Sequence, residues 1–385
     1  MKRNKTGDFL PISTVEEPYH AFVPHPLPPQ PPLQIDAQLQ DLMDQSLMAL
    51  GRLDSISTLL PDISLLLYMY IRKEALLSSQ IEGTQSTLSD LLQFESEQIL
   101  GIPVDDVQPV YNYVAAMNHG INRINEPFPL SLELLKEVHA QLLMKGRGSD
   151  QTPGEFRKSQ NWISGTLPNN ALFVPPPPSH LMTCLGELEK FLHDQPERTP
   201  LLIKVALAHV QFETIHPFLD GNGRIGRLLI TLLLCAEGAL KQPVLYLSLY
   251  FKTHQKQYDE LLQKVRTEGD WEEWLRFFLT GVKETAMSTV ETTKRILTLF
   301  ESDKLKISRL GKRAGSTLQV YKALQRQPIL SIPKASEQTG LTVPTVTVAF
   351  KHLTKLEVMR EITGKKRGRL FIYDQYVNII NEGII

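Results

Sequence analysis

Between two apolar helical runs the chain reads His216-Pro217-Phe218-Leu219-Asp220-Gly221-Asn222-Gly223-Arg224-Ile225-Gly226-Arg227, and no other stretch constrains the fold so strongly. Pro217 stops the helix expected over residues 200–215 near His216, and apolar periodicity predicts a new helix over 223–237. Two helices must therefore meet at a tight loop. Gly221 and Gly223 allow backbone angles that other residues resist, so consecutive N–H groups can converge on an anion. The helix that begins there adds its positive end. Asn222 can cap that helix or donate to an oxygen. Arg224 and Arg227, three apart, share one side of the helix and offer planar forks to phosphate oxygens. Asp220 suits Mg²⁺, which takes one or two carboxylates plus substrate phosphates. His216, at the loop entrance, is suited to act as a base. From chemistry alone, these residues describe a nucleotide phosphate site beside a proton acceptor.

The rest of the chain sets limits. A net charge of −1 over 385 residues gives no global pull toward nucleic acid or membrane. Cys184 and Cys235 are too few for a disulfide framework or a cysteine-only zinc site. No apolar run approaches the roughly 20 residues of a membrane span, and the basic start is followed by no secretory-type apolar segment. A reducing, cytoplasmic setting without membrane contact is expected.

Prolines cluster over 18–32 and predict an extended arm packed on the protein itself. Helical spacing begins at Asp36 through Leu39, Leu42, Met43, Leu47 and Leu50, with Gly51 read as an interruption. A second helix is expected over 63–82, with Gly83 as its C-terminal cap. Further helical periods fall near 88–100, 107–125, 132–144, 180–193, 253–267 and 271–299. Between the short runs at Trp162-Ile163 and Phe173-Val174, the segment Leu167-Pro168-Asn169-Asn170 reads as a β-hairpin turn. From residue 317 onward, three helices and two alternating segments around Met359–Ile362 and Leu370–Tyr373 predict a winged helix-turn-helix. The expected fold is mainly α: an N-terminal helical region over 1–110, a core over 111–285 with a β-hairpin flap, and a linker helix with a winged-helix domain over 286–385.

The segment at 216–227 resembles the Fic signature H-x-F-x-D/E-G-N-G-R-x-x-R at every defined position. The resemblance extends to the helical N-terminal part, the approach Pro153-Gly154-Glu155-Phe156-Arg157, the hairpin and the C-terminal region. It implies protein adenylyltransfer, AMP passing from ATP to Ser, Thr or Tyr hydroxyls of proteins, this one included. His216 would deprotonate the hydroxyl, Phe218 anchor the loop, and Asp220 hold Mg²⁺. Gly221, Asn222, Gly223, Arg224, Ile225 and Gly226 would surround the phosphates, with Arg227 on the γ-phosphate. Ser78-Ser79-Gln80-Ile81-Glu82-Gly83 resembles the family's inhibitory pattern of Ser or Thr, three residues, Glu, then Gly or Asn. Glu82 would then pair with Arg227 and occupy the γ-phosphate's fork. The flap residues Trp162, Ile163, Phe173 and Val174 would dock an extended target segment. Tyr258 falls near the adenine position, although Gln257 stands where relatives often carry a first tyrosine.

Other readings stay open at this stage. Related enzymes remove AMP or transfer other phosphate-containing groups, or answer to a separate inhibitor chain. Alternatively, the winged helix would bind DNA through Thr342, Thr345, Thr347, Lys351 and the basic turn Lys365-Lys366-Arg367, with the core sensing nucleotide. The same domain would equally serve protein contacts or homodimerisation.

Overall fold

The computed structural model describes residues 5–13, 18–59, 64–95, 104–125, 130–365 and 368–382. The expected helix end at 96–100 and part of the basic turn, Lys366 and Arg367, lie outside the described residues. Helices dominate. The chain begins with two antiparallel strands, β1 (Gly7–Ile12) and β2 (Tyr19–Pro24), pairing Gly7 with Pro24 through to Ile12 with Tyr19. The proline-rich arm was expected to be extended, and these strands were not foreseen. Pro11 and Pro24 sit in edge strands, where a missing N–H is tolerated. Beyond the arm come α1 (Ala37–Leu59), α2 (Ser64–Ile81), α3 (Leu88–Glu95), α4 (Val104–Asn125) and α5 (Leu132–Leu142).

Gly51 does not interrupt its helix. It lies inside α1 on the exposed side, with open space around it. Its helix penalty of about 1 kcal/mol is outweighed by the packing of α1 along a later helix. Gly83 does adopt φ +92 just beyond α2, as a C-terminal cap requires.

The middle of the chain supplies α6 (Pro178–Leu192), α7 (Leu201–Ile215), α8 (Asn222–Ala236), α9 (Ser248–Thr253), α10 (Gln255–Glu268) and α11 (Trp271–Ser308). Every residue of α7 from Leu202 to Ile215 is buried, which makes it the central post of the core. On it Lys204 reaches Asp194 and Glu237 at 3.0 and 2.6 Å, and the Trp274 indole donates to its Ala206 carbonyl at 3.0 Å. α8 packs on α7, while α2 lies over α4, α8 and α9.

The expected flap hairpin shrinks to one antiparallel bridge, Ile163 with Phe173, around a 3-10 turn at Pro168–Asn170. Its second arm is covered: Phe22 of β2 donates to the Val174 carbonyl at 2.8 Å, and Phe173 packs against Phe22.

Beyond α11 come α12 (Ala314–Arg326), β3 (Ile329–Ser331), α13 (Ile332–Thr339), α14 (Val343–Lys355), β4 (Arg360–Glu361), β5 (Leu370–Ile372) and α15 (Asp374–Asn381). The segments expected to alternate contain β4 and β5, and β3 joins β5 on its other side to give the order β3-β5-β4. This part is fastened to the core. Tyr373 donates to buried Asp303 of α11 at 2.6 Å, and Lys73 of α2 donates to the Ile380 carbonyl at 2.8 Å. Among the described residues, no helix is long and apolar enough to cross a membrane.

Candidate active site

The loop between α7 and α8 is held by backbone-directed side chains. His216 caps α7 in the left-handed region, φ 49 and ψ 60, a conformation that costs a non-glycine residue free energy and needs support. Arg157 and Asn161 provide it. Arg157 Nε donates to the His216 carbonyl at 3.0 Å, and its Nη2 donates to Pro176 and Ile215 carbonyls at 2.6 and 3.4 Å. Asn161 Nδ2 donates to the carbonyls of His216 at 3.2 Å and Phe218 at 2.9 Å. Phe218 is fully buried and lies flat against His139, with ring centroids 3.7 Å apart. His139 in turn accepts from the Gly154 amide at 2.9 Å through Nδ1, so its Nε2 must carry the proton donated to the Asp220 carbonyl at 3.0 Å. Burial pushes the His139 pKa down to about 4, so it stays neutral in this role.

The glycines play different parts. Gly221 takes φ +81 at the N-cap of α8 and has the expected conformational role. Gly223 is helical instead, and its value is space: a Cβ there would lie 2.3 Å from Glu82 Oε1. Gly226 likewise leaves room for Glu213, whose Oε1 would be 2.1 Å from a Cβ. Asn222 neither caps the helix nor offers its side chain to a ligand. Its Oδ1 accepts from the Phe218 amide and its Nδ2 donates to the Phe218 carbonyl, both at 2.8 Å, closing the loop on itself. Ile225 is fully buried in the core and its amide is bonded to the Gly221 carbonyl, so it presents nothing to a nucleotide.

His216 is half-buried, and its Nδ1 is 3.3 Å from the Glu213 carbonyl. A carbonyl only accepts, so Nδ1 carries the proton and Nε2 keeps a lone pair. Burial, with the Arg266 charge nearby, pushes the pKa of His216 down to about 4 and keeps the ring neutral at physiological pH.

Two arginines stand on α8. Arg224 is 5% exposed, its Nη2 lies 3.3 Å from Asp220 Oδ2, and its Nε is buried without a hydrogen-bond partner. Arg227 is engaged at Nε and Nη2 by the end of α2 and by Glu82 just beyond it. Its Nε donates to Ser78 Oγ at 2.9 Å, and its Nη2 donates to the Ser78 carbonyl at 2.9 Å and to Glu82 Oε1 at 2.6 Å. Burial raises the Glu82 carboxyl, but the Arg227 charge and hydrogen bond outweigh it and hold the group below its ordinary value. The sequence-predicted residues His216, Asp220, Gly221, Gly223, Arg224, Arg227, Ser78 and Glu82 are thus brought together.

Tyr258 is buried behind this cluster with its hydroxyl 2.8 Å from His209 Nε2, so its ring is no open face for adenine. Of the flap residues, Phe173 and Val174 are buried beneath β2, leaving Trp162 and Ile163 half-exposed. Sequence reasoning missed Asn161, His139, Glu213 and Arg266. Glu213 is buried, its Oε1 lacks a hydrogen-bond partner, and burial pushes its pKa up to about 7.

Residues 40–122 match the model of the Fic/DOC family N-terminal region, and residues 129–234 match that of the Fic/DOC family. The chain is 30% identical over 209 residues to a protein adenylyltransferase Fic of Aedes aegypti, covering 53% of this chain and 39% of that one. Against the protein of the same name from Drosophila yakuba it is 27% identical over 257 residues, covering 65% and 48%. The chain therefore spans less than half the length of these relatives. A Fic family protein from Desulfovibrio desulfuricans G20 shares the fold, with a TM-score of 0.58 at 20% identity over 89% of this chain and 98% of that one.

Proposed function

Because this chain belongs to the Fic/DOC family, we propose that it is a protein adenylyltransferase, moving AMP from ATP to protein hydroxyls, its own among them, and inhibited by its own Glu82. The observation that carries this reading is Arg224: a buried guanidinium with a partnerless Nε, on the first turn of a helix and beside a histidine whose Nε2 is free to accept a proton. An unmatched buried donor of that kind calls for an anion. Gly221 and the first amides of α8 add the positive end of the helix.

Atoms and charges follow simply. The target oxygen bonds to the α-phosphorus, the bond to the bridging oxygen breaks, and pyrophosphate leaves with its electron pair. The hydroxyl proton passes to His216 Nε2. Arg224 and the α8 amides hold the phosphates in line, so catalysis rests on positioning and charge. Asp220 fits a Mg²⁺ contact through one carboxylate: its side chain is half-buried, and its own carbonyl is occupied by His139. Among the described residues no cluster of three His, Cys, Asp or Glu could hold a metal alone, so phosphate and water oxygens would complete the shell. Such a metal would neutralise charge on the phosphates.

Glu82 occupies the Arg227 fork that a γ-phosphate needs. ATP bound beside it has its phosphates displaced, and a misplacement of an ångström costs in-line transfer on the order of 10²-fold. Target docking falls to Trp162 and Ile163, because Phe173 and Val174 are packed inward.

The test uses ATP labelled at the α-phosphate or at the γ-phosphate with wild type, Glu82→Gly and Glu82→Gly/His216→Ala. The expected result is α-label on protein in Glu82→Gly only, and γ-label in none. Label from the γ-position, or α-label surviving His216→Ala, overturns the reading.

A further inference from the structure

The carbonyl oxygen of Glu213 is shared. It faces His216 Nδ1 at 3.3 Å, and it also accepts from Arg266 Nη2 at 3.1 Å. Arg266 Nε lies 3.3 Å from Thr214 Oγ1, so the guanidinium grips the last turn of α7 at two successive residues. The other side of the guanidinium covers the Phe173 ring at 4.3 Å. The Arg266 backbone carbonyl accepts from Thr6 Oγ1 at 3.1 Å, just ahead of β1. Arg266 is 7% exposed; among the described residues its side-chain hydrogen bonds go to a carbonyl and a hydroxyl, and the Glu213 and Asp259 carboxylates act on it by charge. A buried arginine bound to a carbonyl, a hydroxyl and an aromatic face serves geometry, since an apolar residue of its size would cost less to bury.

We infer that Arg266 is a positioning residue for His216: by fixing the Glu213 carbonyl it sets the ring's tautomer and direction, and it ties the catalytic turn to the flap through Phe173. This rests on the reading of His216 as the base. Among the described residues the carbonyl anchored by Arg266 is the acceptor of the Nδ1 proton, so its direction decides where the Nε2 lone pair aims. The charge acts alongside the geometry. The charged groups acting on His216 are Arg266 from α10, Arg157 from the loop before the flap, and Glu82 from the end of α2, while Glu213 of α7 acts through its backbone carbonyl. Among these the Arg266 cation disfavours the imidazolium, so the ring remains a competent base into mildly acid solution.

The experiment follows His216 directly in the full chain, by imidazole nitrogen NMR across pH, in wild type, Arg266→Lys and Arg266→Met. In Arg266→Met the titration is expected to move up by about one pH unit and the Nδ1-protonated tautomer to lose its dominance, with Lys intermediate. An unchanged midpoint and tautomer in a folded Arg266→Met overturns the inference. Should Met fail to fold by thermal melting, Arg266→Gln, which keeps a donor without the charge, carries the same test: the midpoint rises while the tautomer holds. In the Glu82→Gly background the acid limb of AMP transfer should move up in the same order, with kcat reduced and the KM for ATP unchanged. The NMR arm needs no turnover. A shift there with no AMP transfer by Glu82→Gly would therefore sink the proposed activity and leave the role of Arg266 standing.

Discussion

A methyl group on Gly223 would lie 2.3 Å from Glu82 Oε1 and 3.1 Å from Arg227 Nη1. The Glu82 carboxylate therefore sits in space that only a glycine on the first turn of α8 leaves open. On the proposed reading, a phosphate and the carboxylate compete for that space.

Gly223→Ala separates these occupants. The added methyl should push Glu82 away from Arg227 yet also close the phosphate cradle. Calorimetric ATP affinity should fall at least about tenfold, with no gain in transfer, because Cβ contacts this short force movement. Activation equal to that of Glu82→Gly would show that the phosphates do not use the space.

The ion pair should leave a signature in stability against pH. Glu82 is held below its ordinary value of 4.5, so its contribution is fully present above that value and is lost as pH falls through the folded pKa. At neutral pH Glu82→Gln should cost about 1–2 kcal/mol, less than a fully buried pair because the Glu82 side chain is 42% exposed. Denaturant melts should show the gap between wild type and variant narrowing in acid. A constant gap contradicts the pairing.

Glu213 has the opposite sign. Its pKa is pushed up to about 7 by burial, so the folded state binds its proton more tightly and stability falls as pH rises from about 4.5 to 7. Glu213→Gln should therefore stabilise the fold by up to about 3 kcal/mol at pH 8 and be nearly neutral at pH 4. The same melts check it, and a loss of stability at pH 8 would mean the ionised carboxylate has a partner worth more than its burial costs.

Asn161 supports the left-handed backbone at His216 through its side-chain amide. Asn161→Ala removes donors to the His216 and Phe218 carbonyls, while Arg157 still holds the former. Transfer in the Glu82→Gly background should fall about tenfold or more in kcat, with ATP affinity kept. A change confined to ATP affinity would place Asn161 in the nucleotide site instead.

The cluster of residues was legible where their spacing is local. His216, Asp220, Gly221, Arg224 and Arg227 lie within one turn and one helix start, and Glu82 follows from a short pattern on a helix that α8 touches. What escaped was support from a distance. Asn161 and His139 act on backbone carbonyls 55 to 81 residues away, and such bonds leave no local spacing to read. Asn222 and Ile225 belong to the motif, yet loop closure and core packing claim them. Gly51 shows tertiary packing overriding propensity, and β1 and β2 escaped because prolines masked two edge strands. Tyr258 sits at a position where exposure, which sequence does not report, decides the role.

On the proposed reading, Glu82 holds Arg227 away from the γ-phosphate. The most direct test is the rate of AMP transfer from α-labelled ATP, at saturating ATP and Mg²⁺, by wild type and Glu82→Gly. A rise of about 10²-fold or more is expected in Glu82→Gly. Equal rates in two folded, ATP-binding proteins would contradict that reading.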